Sequence, residues 1–317
     1  GLAYVHGMRN NGTPIAVSGY ASLVLDSMKS ALKPTWRISK MNYDKIVEEV
    51  IEGYKASPID MLGIGDASGE YTYLNTLKDS YVRTVRDVDN MSKGDNSCKS
   101  ILEIGSFLGA VSLSLKKLGF NVCALDIPEF YKSSTLKSLY ERNGIPFTGL
   151  NLRNSKLPYE SNSLDTVIIC EVLEHLSFNP LPVLQEINRV LKDDGYIYIG
   201  MPNQTSLFNR IRLLMGKSIH NPINDFFSQL DKNDNMIVGL HWREYTLNET
   251  IELIKKMGFA PVAEYYFQPA EQHKSNILKE ILKKIAFSYP PFRSFQVVIG
   301  KKVSIPTYDF WLTDANS

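Results

Sequence analysis

Ile101-Leu102-Glu103-Ile104-Gly105-Ser106-Phe107-Leu108-Gly109 reads as an apolar strand, a glycine-containing turn and the start of a helix. Gly105 lets the backbone turn sharply and approach a ligand closely. Gly109 lets the following helix pack near the strand, and the helix start presents free N–H groups at the strand's carboxyl end. Asp126 closes the next apolar run, twenty-three residues after Glu103. A carboxylate there can accept from both hydroxyls of a ribose. Farther along, Glu171-x-x-Glu174-His175 sets two carboxylates and an imidazole on one helical face, and His241 opens the segment HWREYTLNE. Groups of these types can accept a proton from a hydroxyl or bind a divalent cation.

The turn departs from the dinucleotide fingerprint. Its order is Glu-x-Gly-x-x-x-Gly, with Phe107 at the middle glycine position. A pyrophosphate needs bare backbone there, so a nicotinamide dinucleotide is disfavoured. The tail of S-adenosylmethionine carries an ammonium and a carboxylate instead, and Glu103 can orient water or backbone around the ammonium. Taken alone, the turn also reads as a tight βα connection without a ligand, and Asp126 as a strand-end acid before Pro128.

These residues need an edge to stand on. Apolar runs at Ile101–Ile104, Val122–Leu125, Phe147–Leu150, Thr166–Cys170 and Tyr196–Met201 alternate with helical patterns at Ala110–Leu118, Ser133–Arg142 and Pro180–Leu191. Strands alternating with helices imply a parallel sheet, and right-handed crossovers make it doubly wound. Two further strands, Ala260–Phe267 and Phe295–Ile299, bring the expected sheet to seven. The helix Leu247–Met257, with its Gly258 stop, precedes the first of them. Glu103, Asp126, Asn151, Glu171 and Asn203 all fall at or near carboxyl ends of strands, where ligands sit in open α/β sheets.

Before this core, residues 1–15 read as irregular, and Ala16–Leu32, Tyr43–Tyr54 and Tyr73–Val88 read as helices. Residues 62–75 read as a Gly/Ser loop and Asp89–Ser97 as a linker. The expected organisation is a helical extension over 1–95 serving as lid, cap or dimer arm, a core over 96–302 with insertions at 204–240 and 268–293, and a tail over 303–317. Insertions of that length are usually lids or binding elements.

Lys and Arg number 35 against 34 Asp and Glu, so bulk charge supports neither DNA nor an anionic membrane as partner. Cys98, Cys123 and Cys170 match no zinc or redox spacing and suit a reducing compartment. Gly1–Leu32 lacks the order of a signal peptide, and no apolar run is long enough to span a bilayer. The expectation is a cytoplasmic protein without a transmembrane segment, with a homodimer left open.

The ordered series LEIGSFLG, ALD, NLRNSKLPYESNSLDTVIICEVLEHL, INRVLKDDGYIYIGMPN, HWREYTLNE and MGF resembles the class I methyltransferase superfamily between about Ser100 and Lys302. Within it, the sequence is most similar to enzymes that handle small molecules and bacterial sugars. The resemblance implies a Rossmann-like fold, S-adenosylmethionine as cofactor and O-methylation of a small molecule or glycan hydroxyl. It implies that Glu103, Gly105 and Gly109 surround the methionine part, that Asp126 binds the ribose and that Ile127 lies beside the adenine. Asn151 and Leu152 fall where an Asp and an apolar neighbour often meet the adenine amino group. Asn151 departs from that pattern but keeps an acceptor oxygen. Glu171 follows the fourth strand, where the methyl emerges, and Met201-Pro202-Asn203 lies on the substrate side.

His175, His241 and Glu174 are the candidate general bases. Two readings of that cluster stand. In one, no metal binds, the Glu contacts cofactor, and His241 is a helix-entry residue beside a capping box of Thr246 and Glu249. In the other, Glu171, Glu174, His175 and His241 bind a divalent ion, as in RNA 3′-end 2′-O-methyltransferases and some quinone-pathway O-methyltransferases. A non-catalytic adenosylmethionine-binding protein is a further alternative, raised by Phe107 and Asn151. Tyr81 and Arg83 read as surface and packing residues of a helix over the cofactor. His220, His273 and the Lys274–Lys284 stretch read as solvated, and 289–292 as a turn.

Overall fold

The computed structural model describes residues 41–60, 67–92, 94–230, 239–270 and 276–308. Residues 1–15 and the helix expected over Ala16–Leu32 lie outside the described residues. The centre is a seven-stranded sheet in the order β3-β2-β1-β4-β5-β7-β6. Its strands are β1 (Ser100–Ile104), β2 (Asn121–Asp126), β3 (Phe147–Gly149), β4 (Leu164–Cys170), β5 (Leu191–Pro202), β6 (Phe259–Phe267) and β7 (Phe295–Lys302). β1 to β5 pair in parallel, and β7 runs antiparallel to both β5 and β6. β6 therefore runs in the same sense as β5, so Phe267 ends at the same edge as Ile104, Asp126 and Cys170. The expected doubly wound, mostly parallel sheet is the one observed.

The apolar runs become strands because both sheet faces are covered. Leu102, Ile104, Val167, Ile168, Ile169, Ile197, Ile199, Val298 and Ile299 are all fully buried, as in parallel sheets packed between helices. The covering helices are α4 (Ala110–Lys117), α5 (Pro128–Tyr131), α6 (Ser134–Arg142), α7 (Leu181–Val190) and α10 (Leu247–Lys256). α10 begins with the expected capping box: Glu249 N–H donates to Thr246 Oγ1, and Thr246 N–H donates to Glu249 Oε2.

Three helices precede the sheet: α1 (Tyr43–Ala56), α2 (Ala67–Thr76) and α3 (Lys78–Met91). α1 buries Tyr43, Val47, Val50, Ile51 and Tyr54. The Tyr54 hydroxyl donates to the Leu108 carbonyl, and the Tyr43 hydroxyl to Asp89 Oδ2 at 2.6 Å. Residues 67–75, expected as loop, are helical instead. Tertiary contacts override the weak helix formers there: Leu74 is 1% exposed, and Tyr73 meets the Phe107 ring edge-on. The single helix expected over Tyr73–Val88 is two, broken at Leu77. The expected linker over Asp89–Ser97 begins inside α3, which runs to Met91.

The insertions carry helices of their own. α8 (Leu207–Leu214) and α9 (Ile223–Leu230) occupy the first, and α11 (Ile277–Phe287) the second. The described exposed faces of these helices are strongly aliphatic as well as basic. Phe208, Leu214, Ile223, Ile277 and Ile285 are exposed, while α8 turns the polar Asn209 inward. Among the described residues, no helix is long and apolar enough to cross a membrane.

Candidate active site

A cavity of about 760 Å³ opens along the carboxyl edge of the sheet, within the roughly 300–1,000 Å³ typical of ligand sites. β1 lies where the chain winds off in both directions, to β2 and to β4, which is the switch point at which such sheets bind ligands. The cavity extends from the end of β3 at Leu150, past β2, β1 and β4, to Phe267 at the end of β6. α2 and α3 roof it.

The turn after β1 is built around a close contact. Gly105 has φ +74°, and a Cβ there would collide with the Val172 side chain. Only glycine fits, because the conformation and the space both exclude a side chain. Phe107 also has positive φ, +45°. Its ring is held between Tyr73, 5.8 Å away, and Phe130, 5.4 Å away. An aromatic side chain fixed at the middle of the turn leaves no bare backbone for a pyrophosphate. Gly109, at φ +76°, faces the Tyr140 hydroxyl and does not line the cavity; a Cβ there would lie 2.9 Å from that oxygen. Its service is to bring α4 and α6 together.

Two buried carboxyls line the cavity at this turn. Glu103 accepts from the backbone N–H and the hydroxyl of Ser112, which ties β1 to α4. Burial pushes its pKa up to about 8, against the Ser112 hydrogen bonds, with the Asp126 charge adding to the rise. Asp126 accepts from Phe107 N–H at 2.6 Å and from Ile127 N–H at 2.7 Å. Burial pushes it up to about 6 despite those two bonds. Each Asp126 oxygen retains a lone pair for a ligand donor, and in Glu103, whose Oε2 takes both Ser112 donors, Oε1 does. Ile127, Asn151 and Leu152 also line the cavity. The Asn151 side-chain oxygen accepts from Arg153 N–H at 3.0 Å.

The segment after β4 is the strained part. Glu171 has φ +52°, a conformation that costs on the order of 1–3 kcal/mol and is common at functional sites. Its N–H donates to the Gly200 carbonyl at 2.8 Å, and its side chain lines the cavity. Residues 173–175 form a single 3₁₀ turn rather than a regular helix. Trp242 and Arg243 N–H groups donate to the Glu174 carbonyl, at 2.7 and 3.3 Å, which ties this turn to the HWRE segment.

Glu174, His175 and His241 converge: one ligand atom from each lies within 4.8 Å of the others. Glu174 is fully buried, and its carboxyl lies against that of Glu171. Burial raises the pKa of Glu171 and Glu174 alike, and the neighbouring Glu174 charge raises Glu171 further. His175 Nδ1 lies 2.9 Å from the Leu240 carbonyl. A carbonyl only accepts, so Nδ1 carries the hydrogen and Nε2 the lone pair. Burial lowers its pKa to about 4, so the ring is neutral near pH 7. His241 Nδ1 lies 3.2 Å from Glu244 Oε1. Burial acts to lower its pKa, but the Glu244 hydrogen bond and the Glu174 and Glu244 charges outweigh that and raise it. The two imidazoles meet edge-on at 4.8 Å. His175 lines the cavity; Glu174 and His241 stand outside its lining.

The structure thus gathers seven of the expected cofactor residues along one cavity: Glu103, Gly105, Asp126, Ile127, Asn151, Leu152 and Glu171. Asn203, expected at the substrate side, is a buried pin. Its side-chain nitrogen donates to the Pro291 and Arg293 carbonyls, and its oxygen accepts from Thr205. Tyr81 and Arg83, read from sequence as surface and packing residues, line the cavity, as do Tyr73 and Ser80. Nothing local in the sequence marks them, because α3 carries no motif and reaches the cavity only through tertiary packing.

A mostly parallel seven-stranded sheet with an antiparallel β7 carries a cavity with two buried acids at its switch point, where open α/β sheets bind ligands. Residues 102–199 match the family model Methyltransf_11, a methyltransferase domain. That segment, which runs from β1 into β5, is similar to methyltransferase domains. The chain is 28% identical to an uncharacterized protein of Methanocaldococcus jannaschii over 125 residues, 39% of this chain and 52% of that protein. The chain thus spans about half the length of that relative. It is 24% identical to a ubiquinone biosynthesis O-methyltransferase of Glaesserella parasuis over 207 residues, 58% of this chain and 84% of that one. A similar solved structure is that of a SAM-dependent methyltransferase from Archaeoglobus fulgidus, with 18% identity and a TM-score of 0.47 over 73% of this chain and 100% of that one.

Proposed function

We propose that the chain methylates a hydroxyl of a small molecule or sugar. The observation that carries this reading is the neutral His175 imidazole, which lines the same cavity as Glu103 and Asp126 while its Nδ1–H is held by the Leu240 carbonyl. S-adenosylmethionine, when bound, supplies a methyl group on a sulfonium that an oxygen nucleophile can displace in line. Buried Glu103 and Asp126 suit a ligand that offers an ammonium and hydroxyls. Ile127, Asn151 and Leu152 would bound the adenine, with Gly105 leaving room for the methionine part.

His175 Nε2 would accept the acceptor's hydroxyl proton as the oxygen becomes nucleophilic. The buried Glu174 carboxyl and the His241–Glu244 pair lie beside it as onward proton acceptors. α2 and α3 would exclude water from the reacting oxygen. The O-methyltransferase named among the relatives supports oxygen as the acceptor atom. The test is to incubate protein and S-adenosylmethionine with a panel of phenols, catechols and sugars and to seek a product heavier by one methyl group. Products on oxygen support the proposal; methylation confined to amines or thiols contradicts it.

A second reading has its own observation. Glu174, His175 and His241 can each offer a ligand atom to one point, and both histidines have Nδ1 held by an acceptor. Metal-ligating imidazoles are commonly fixed in this way. Glu171, Glu174, His175 and His241 would then hold a divalent ion that lowers the pKa of the acceptor hydroxyl. Elemental analysis of chelator-free protein checks this: a stoichiometric divalent ion, with activity lost in EDTA, supports it. Full activity in EDTA leaves His175 as the base.

A further inference from the structure

Arg83 is a cavity-lining cation that, among the described residues, has no ion-pair partner. Its Nε is buried and, among those residues, without a hydrogen-bond partner. The two acids four residues away on α3 are both engaged: Asp79 accepts from Ala270 N–H at 2.6 Å, and Asp87 is committed elsewhere. Arg86 pairs with it at 3.1 Å, and the Tyr198 and Tyr265 hydroxyls donate to it. The guanidinium instead lies over two rings, 4.3 Å from the centre of Phe267 and 5.3 Å from that of Tyr265. Stacking fixes its plane and offsets part of its desolvation, but it satisfies none of its N–H donors. One turn earlier on α3, the Ser80 hydroxyl also lines the cavity, buried and without a partner. Two unsatisfied polar groups on one helix face, in one cavity, mark a place where a ligand completes the bonding.

The place lies towards the other end of the cavity from Glu103 and Asp126. Phe267 ends β6, and four strand steps separate β6 from β1, roughly 19 Å at about 4.8 Å per step. Glu103 and Asp126 stand on β1 and β2. Arg83 therefore serves the half of the cavity left to the acceptor. A guanidinium with free N–H groups is suited to binding carboxylate or phosphate oxygens through two parallel hydrogen bonds.

We propose that the acceptor is an anion: a hydroxylated molecule bearing a carboxylate or phosphate, which Arg83 binds with help from the Ser80 hydroxyl. This rests on the hydroxyl-methylation reading for its context and deepens it to a substrate class. Calorimetry with the whole chain, with and without adenosylhomocysteine, tests it. The probes are para-hydroxybenzoate against para-hydroxybenzyl alcohol, glucuronate against glucose, and inorganic phosphate. The carboxylate and phosphate arms show which oxyanion is preferred.

The expected result is that at least one oxyanion probe binds about tenfold tighter than its neutral partner, or in phosphate's case binds measurably. R83Q should abolish that preference, R83K should keep part of it, and both should bind adenosylhomocysteine within about twofold of wild type. Thermal unfolding of both variants separates lost binding from lost fold, and R83K alone decides if R83Q does not fold. Two results overturn the proposal: no Arg83-dependent oxyanion binding, or R83Q weakening adenosylhomocysteine about tenfold, which would assign Arg83 to the donor. Failure of wild type to bind adenosylhomocysteine strikes the donor reading alone, since probe binding is also measured without it.

Discussion

The two ends of the cavity are built in different ways. At the β3-β2-β1-β4 end, the two acids sit at strand termini, and backbone amides hold their side chains in place: Phe107 and Ile127 N–H for Asp126, Ser112 N–H for Glu103. At the β5-β7-β6 end, the lining comes from segments far apart in the chain, Arg83 from α3 against Phe267 from β6, and its polar groups lack partners. A site completed by its own backbone is ready for one fixed ligand. A site of unsatisfied side chains on a roofing helix is completed by whatever acceptor the chain has come to use.

Substitutions at the two ends should separate accordingly. The largest effect is expected where the ends meet: His175→Ala should lower turnover by roughly 10²–10⁴-fold, the usual contribution of a general base. Its adenosylhomocysteine affinity should stay unchanged, as initial rates and calorimetry on the same preparation would show. A loss of affinity instead would move His175 to the donor side. Gly105→Ala should abolish donor binding and cost about 1–3 kcal/mol of stability, measured by urea unfolding, because the added Cβ meets Val172 at a left-handed φ.

A pH effect of intermediate size belongs to the donor end alone. Asp126 titrates near 6 in the free protein, and ribose hydroxyls favour its charged form. Adenosylhomocysteine affinity should thus be flat above about pH 7 and fall by roughly tenfold towards pH 5. Asp126→Asn should bind weakly with no such slope. The same elevations have the opposite sign for the free protein. Carboxyls raised to about 6 and about 8 contribute stability that is complete below about pH 4 and is lost as pH rises through those values. Glu103→Gln should therefore flatten the decline in unfolding temperature between pH 5 and 8. The smallest effect is expected outside the cavity, where Thr246→Ala should cost about 1 kcal/mol through its lost cap and leave both ligands' affinities intact.

The same contrast explains what the sequence disclosed. The strands were legible because a parallel sheet buried on both faces writes continuous apolar runs. The donor end was legible because Glu103, Gly105 and Asp126 act through local turn geometry. Glu171 was found by position, but its left-handed conformation has no signature in a Glu-Val pair. Arg83 was named on a helix over the cofactor but read as a surface and packing residue, and Ser80 was not named, since α3 acquires its meaning only by packing over the sheet edge. The helix at 67–76 was missed for a related reason, its Ser and Gly content being outweighed by Leu74 and Tyr73 docking onto the core. Asn203 was correctly placed at a strand end, yet its side chain turns to the 290–293 backbone rather than to the cavity.

Calorimetric titration of wild type and Asp126→Ala with adenosylhomocysteine tests the donor end most directly. We expect micromolar binding to wild type, roughly −7 to −9 kcal/mol, and a loss of about 2–3 kcal/mol in the variant. Equal affinity in the two proteins, or binding of NADH in place of adenosylhomocysteine, would contradict the account.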